Sequence, residues 1–331
     1  MMKNQTLKIK EIFLLFSVSI SLVFASNLMA LAAKASSNFF PMKINNQSSF
    51  YDTGIDKSII VHGEKPVLVS SQFAFTEGPA SDKEGNIFFT DQPNNKIWKY
   101  DLNGELSVFM ENSGRSNGMF FDKNDNLIAC ADEHNQLWSI DKNKKITVLL
   151  KDYNGQTLNG PNDVWVNPVS GGAYFTDPYY KRDYWKKEHP PQRKQQVYFL
   201  PKNKKKAIIV ETEIEKPNGV IGTADGKFLF IADIGSGKVF KYNISNDGKL
   251  INKKLFVNHS VDGMTIDSEE NIYMAGKGVS VYNPEGKLIE YIPIPESWTA
   301  NVCFGGKDKS ILFISASKSI YVLKMNVKGV Q

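Results

Sequence analysis

The 331-residue chain is poor in the residues that most enzyme sites are built from: it has two cysteines and four histidines. Cys130 in "LIACADE" and Cys303 in "NVCFGG" fall in apolar, strand-like runs, where a thiol behaves as a small hydrophobe, so both read as free. His62, His134, His189 and His259 are scattered, with no pair at metal-ligand spacing, and neither cysteine has a histidine at a motif spacing. No G-x-S-x-G elbow and no glycine-rich phosphate loop is present, which leaves nucleophilic triads and nucleotide chemistry without support. A strong basic stripe is also missing. Removing the first 35 residues, which carry four lysines and one glutamate, takes the formal charge from +5 to +2, and the remaining lysines are spread over turns. Nucleic-acid binding is discounted on that ground.

Helical apolar periodicity is absent beyond the N-terminus. There, "MMKNQTLKIKEIFLLFSVSISLVFASNLMALAAKA" has lysines at 3, 8 and 10, an apolar run from Ile12 to Ala25 and small residues around Ala30 to Ala35. A spanning helix needs about 20 apolar residues, and this run is shorter, so residues 1–35 read as an export signal cleaved from a periplasmic or secreted protein. No cysteine follows for lipid attachment, and no stable membrane anchor is expected. Residues 36–57 read as an N-terminal extension, and residues 58–331 as one domain with ample hydrophobic material for a core.

What the chain does have is a period. "EGPASDKEGNIFFTD" from Glu77 is echoed from Asn117, Asn162, Asn218, Asp262 and, more loosely, Asn301, at steps of 40, 45, 56, 44 and 39 residues. Each unit reads as a short strand, a polar turn, an apolar strand such as "NIFFTD", a third strand such as "KIWKYD", and an outer strand such as "LSVFME". Units of this length, unable to bury both sheet faces alone, predict an all-β, six-bladed β-propeller with four-stranded blades. The last unit lacks an outer strand, and "SIIVHGEKPVLVSSQ" precedes the first, so an N-terminal strand is expected to close the ring.

In a propeller the innermost strands line the central channel, so the six heads meet at one mouth. They are two carboxylates and four amides, all oxygen donors, with no lysine, arginine or histidine. Such a set suits a hard divalent cation such as calcium. The competing reading is that Asn-Gly and Asp-Gly are common turn dipeptides; recurrence at one phase of the repeat favours the metal.

These residues resemble the regucalcin and gluconolactonase group of six-bladed calcium-dependent lactonases, which also has a phosphotriesterase branch. The resemblance runs from about Phe73 to Leu323 and rests on "FTEGP" with "FFTD", "PNDVWV" with "YFTDP", "KPNGV" with "LFIAD", "VDGMTID" and "NVCFGG". It implies Glu77, Asn218 and Asp262 as metal ligands, Asn162 as a fourth ligand or substrate contact, and Asp262 also as the general base. The implied cofactor is calcium, with zinc, magnesium or manganese as alternatives, and the implied substrate is a small sugar lactone. A non-catalytic carbohydrate- or protein-binding propeller, or a phosphotriesterase or aryl esterase, is the alternative. Two departures bear on the substrate: Gly160 stands where regucalcin-like members have an arginine, and their acidic sugar-binding residue has no clear match.

The longest step, 56 residues, holds an insertion in the third unit, ahead of its "QVYFLP" strand, in which Tyr179, Tyr180, Tyr184 and Trp185 are interleaved with Lys181, Arg182, Lys186 and Lys187. A loop on the channel side with that mixture is suited to covering a polar, ring-shaped or anionic ligand; the alternative is a solvated surface loop with packed aromatics. With Asn117 and Asn162, the residues expected to touch substrate are Arg115, Tyr179 and Arg182.

Overall fold

The computed structural model describes residues 58–185 and 194–330. The expected signal, 1–35, and extension, 36–57, lie outside them. Lys57–Gln331 forms one compact unit. It contains six antiparallel four-stranded sheets, as a six-bladed β-propeller requires. The innermost strands of blades 1 to 6 are Thr76–Ser81, Ser116–Phe121, Val164–Val166, Pro217–Gly222, Met264–Ile266 and Asn301–Gly305. The N-terminal strand Val67–Ser70 pairs with Ser319–Lys324 as the fourth strand of blade 6. The ring therefore closes by joining the two ends of the domain.

Burial follows position in the blade. The second strands Ile87–Asp91, Leu127–Ala131 and Ile272–Gly276 are buried at every residue, whereas outer strands such as Leu106–Glu111 and Leu288–Ile292 leave half or more of their residues exposed. That gradient explains why "IFFTD" and "LIACA" read as continuous apolar runs: both of their faces pack on other blades. One core cluster joins Phe88 and Ile97 of blade 1 to Met119 and Leu127 of blade 2. Another joins Phe73, Phe89 and Cys303 across the closure of the ring. Cys130 and Cys303 are both free and buried, as expected of small hydrophobes.

The two ends of the inner strands differ. At the end away from the heads, the tail after blade 6 is held by bonds from Asn326 N to the Ile59 carbonyl, Ser268 N to the Lys328 carbonyl and Gly329 N to the Lys309 carbonyl. Val330 there lines a cavity of about 240 Å³ with Phe120, Trp165 and Gly222. The heads occupy the opposite end.

Candidate functional site

All six heads are buried. In four blades the head is followed by glycine, and the structure shows why. Gly118, Gly219 and Gly263 do not have positive φ, so a left-handed turn is not the reason. A Cβ on Gly78 would stand 2.0 Å from the Asn117 carbonyl oxygen, one on Gly219 2.2 Å from that of Asp262, and one on Gly263 1.9 Å from Asn301 Cγ. Each glycine lets the next blade's head approach, and Gly219 N donates to the Asp262 carbonyl at 2.9 Å. Gly219→Ala is expected to lower the melting temperature by several degrees, since overpacking against backbone costs about 1–3 kcal/mol. A thermal scan checks this.

The loops entering the heads are held by the aspartates that end the second strands. Asp91 accepts from Ala74 N and Phe75 N, Asp177 from Asn159 N and Gly160 N, and Asp233 from Glu215 N and Lys216 N. In blade 2 this role passes to Asn95, whose Oδ1 accepts from Arg115 N at 2.7 Å. The equivalent aspartate, Asp132, is thereby released for other partners.

Three carboxylates share the mouth. Glu77 lies well above the usual carboxylate range because it is buried and faces the charge of Asp262. Burial likewise pushes Asp163 up to about 7, and Asp262 to about 6 against the pull of its bond from Trp298. Glu77 Oε2 accepts from Gly78 N at 2.7 Å and Asn301 Nδ2 at 3.2 Å, so the sixth head orients the first. Asp163 stands where four other blades have glycine; its oxygens accept from Val164 N at 2.9 Å and Val220 N at 3.1 Å. Asn218 Nδ2 donates to the Tyr180 hydroxyl at 3.0 Å. Asn117 Oδ1 is buried without a hydrogen-bond partner among the described residues.

This donor set fits a hard cation. Buried carboxylates with raised pKa values and an orphaned amide oxygen are what an oxygen-ligand site leaves when nothing neutralises it. Among the described residues, no group of three or more His, Cys, Asp or Glu side chains is gathered for a metal. The fit therefore rests on Glu77 and Asp262 together with amide oxygens.

The insertion within blade 3, between its second strand Ala173–Asp177 and its third strand Gln196–Leu200, reaches blade 2. Arg182 Nε donates to Asp132 Oδ2 at 2.6 Å, the Tyr184 hydroxyl donates to the same oxygen, and Gln92 Nε2 reaches it at 3.1 Å. Trp185 Nε1 adds a bond to the Asp132 carbonyl at 3.3 Å. A side chain at Gly160 would meet the Asp132 carboxylate at 2.8 Å and the Trp185 ring at 3.4 Å, so the docked insertion fills the space an arginine there would need.

Tyr180, rather than the expected Tyr179, reaches the heads. Tyr179 donates its backbone N–H to Gln195 and packs its ring 5.9 Å from that of Trp185. Neighbouring residues in an extended segment point to opposite sides, which sequence spacing alone does not assign to a face. Arg115 is also committed elsewhere. Its Nη1 donates to the Pro93 carbonyl, and its guanidinium lies 4.6 Å above the Tyr184 ring, on the rim between blades 1 and 2. Arg182 is closer to the expected place: its guanidinium sits 5.3 Å over the Tyr180 ring, and its charge lowers the pKa of Asp262. Lys216, whose Nζ lies 3.8 Å from the centre of the same ring, is a second basic neighbour that head positions alone did not indicate. Trp298, donating to Asp262 Oδ2 at 2.6 Å, and Asp163 were likewise missed. Of these, Asp163 had a signal in the repeat, as a charged residue directly after a head.

The family profile described as "SMP-30/Gluconolactonase/LRE-like region" matches residues 75–318. A gluconolactonase of Zymomonas mobilis subsp. mobilis is 25% identical over 292 residues, spanning 79% of this chain and 82% of that protein. A solved structure of a protein assigned as a gluconolactonase has a TM-score of 0.76 at 26% identity, over 83% of this chain and 96% of the other. Regucalcin from Agrobacterium tumefaciens, described as a calcium-binding protein, has a TM-score of 0.69 at 18% identity, over 80% and 95% of the two chains, a likeness of fold.

Proposed function

The chain belongs to the SMP-30/gluconolactonase/LRE-like family, and from that premise we propose that it is an exported, metal-dependent lactonase that opens a small sugar lactone. The observation that carries this reading is the pair of buried carboxylates, Glu77 and Asp262, raised in pKa among four amide heads at the channel mouth. Glu77, Asn162, Asn218 and Asp262 would hold the ion, calcium by the chemistry of the donors. When bound, a divalent cation supplies Lewis-acid polarisation of a carbonyl and offsets the charge that develops on its oxygen.

The chain's own groups do the rest. The Asp262 carboxylate accepts a proton from water as its oxygen bonds to the lactone carbonyl carbon. The ring C–O bond then breaks, the proton passes to the departing ring oxygen, and the product is the open hydroxy acid. Burial raises the basicity of Asp262, and the Trp298 indole keeps one of its oxygens in place. Asn117, Asn162 and Tyr180 offer polar contacts to sugar hydroxyls, and Arg182 supplies positive charge at the same mouth. Export would bring the protein to compartments rich in calcium, which suits an oxygen-ligand site.

A panel of neutral and acidic aldonolactones tests the reading, with acid release followed after chelation and after adding back calcium, magnesium, manganese or zinc. At least one lactone is expected to be hydrolysed, the activity lost on chelation and restored by calcium. Tight sugar binding without hydrolysis of any lactone would mark a binding module, and turnover of phosphotriesters or aryl esters alone would move the protein to the other branch.

A further inference from the structure

Two of the heads carry an orientational ambiguity. An amide such as Asn218 can present oxygen or nitrogen to the centre of the ring, and a carboxylate such as Asp262 can rotate to share either oxygen. Two aromatic side chains from outside the heads constrain both. Asn218 Nδ2 donates to the Tyr180 hydroxyl at 3.0 Å, and the same side chain is a hydrogen-bonding neighbour that lowers the pKa of Asp262. A carboxylate cannot donate, so only the nitrogen of the amide suits both neighbours, which leaves Oδ1 for a cation. The Trp298 indole N–H can only donate, and it takes Asp262 Oδ2 at 2.6 Å, leaving Oδ1 to turn inward.

Both aromatics are themselves held. The Trp298 carbonyl accepts from Ser317 Oγ at 3.1 Å, and the next residue, Thr299, is fully buried with its N–H on the Gly276 carbonyl at 2.8 Å. The Tyr180 ring is flanked by Lys216 and by Arg182, which Asp132 fixes from blade 2. Release of Asp132 from the loop-holding role of its counterparts is what makes that anchor available.

We propose that Tyr180 and Trp298 are the positioning residues of the centre, each turning one oxygen of a head inward so that the site is formed before the cation arrives. The proposal rests on the metal reading above. Groups that orient metal ligands typically change affinity by about 10- to 100-fold when removed. Tyr180→Phe deletes the hydroxyl and keeps the ring, Trp298→Phe deletes the indole N–H and leaves a smaller aromatic ring, and isothermal titration of the full-length protein with calcium reads the effect. Each variant is expected to bind calcium at least about 10-fold more weakly than wild type, with the melting temperature of the metal-free protein within about 2 °C of wild type. A purely structural role would lower that melting temperature and leave affinity in the folded fraction unchanged. Calcium affinity within twofold of wild type in both variants overturns the proposal while the metal reading stands. Absence of calcium binding by wild type overturns both.

Discussion

Glu77→Gln is expected to fold, to bind no calcium, and to hydrolyse lactones at least about a thousandfold more slowly than wild type. The hydrogen bonds decide the outcome. Gly78 N and Asn301 Nδ2 both donate to Oε2 of Glu77. A glutamine can offer its single carbonyl oxygen to those two donors, so the local structure is kept. Its amide nitrogen then occupies the place of Oε1, and a donor has no lone pair for a cation. The substitution also removes a buried charge that faces Asp262, the second cause of the raised pKa of Glu77. The metal-free variant should therefore melt at or above the wild-type temperature at pH 8, while calcium no longer raises its midpoint. Melting scans with and without calcium, run beside the lactone assay, check both halves. A variant that unfolds, or one that keeps full activity, would return Glu77 to the role of a residue in a bend.

The second large effect is on pH. In the metal-free folded protein, burial lifts Asp163 to about 7 and Asp262 to about 6, and Glu77 is raised well above its ordinary range. The unfolded chain releases these protons near pH 4. Between about pH 4 and 7 the folded state thus binds more protons than the unfolded one, and stability falls as pH rises through that window. His259, pushed down by burial, works in the opposite direction, but it is a single half-buried group against three buried carboxylates. The midpoint in chelator is expected to drop by about 10 °C between pH 5 and pH 8, since each pKa unit is worth about 1.4 kcal/mol and each kcal/mol a few degrees. Calcium requires deprotonated ligands, so its stabilising effect should be large at pH 8 and small at pH 5. A midpoint in chelator that rises or stays level from pH 5 to 8 would show that these carboxylates are not held protonated in the fold.

Much of this protein is legible in its sequence because a repeat carries its own phase. Six heads spaced at blade length determine the number of blades. The polar residue at the head of each inner strand determines which side chains meet at the mouth, and the missing outer strand of the last unit requires another segment to close the ring. Those features depend on strand order and spacing, which are local in the chain. The glycines after the heads are legible as residues, but their reason is not: the hard contact is with the neighbouring blade, about 40 residues away.

The site's refinements belong to the tertiary structure. That Tyr180 reaches Asn218 while Tyr179 turns away, that Arg115 is spent on the rim, and that Trp298 reaches Asp262 all follow from the paths of loops outside the repeat. Asp132 has the same sequence setting as Asp91, Asp177 and Asp233, yet it serves the insertion because Asn95 takes over its loop. A repeat determines where equivalent residues lie; which of them are free to do something else depends on neighbours that approach only when the ring is closed.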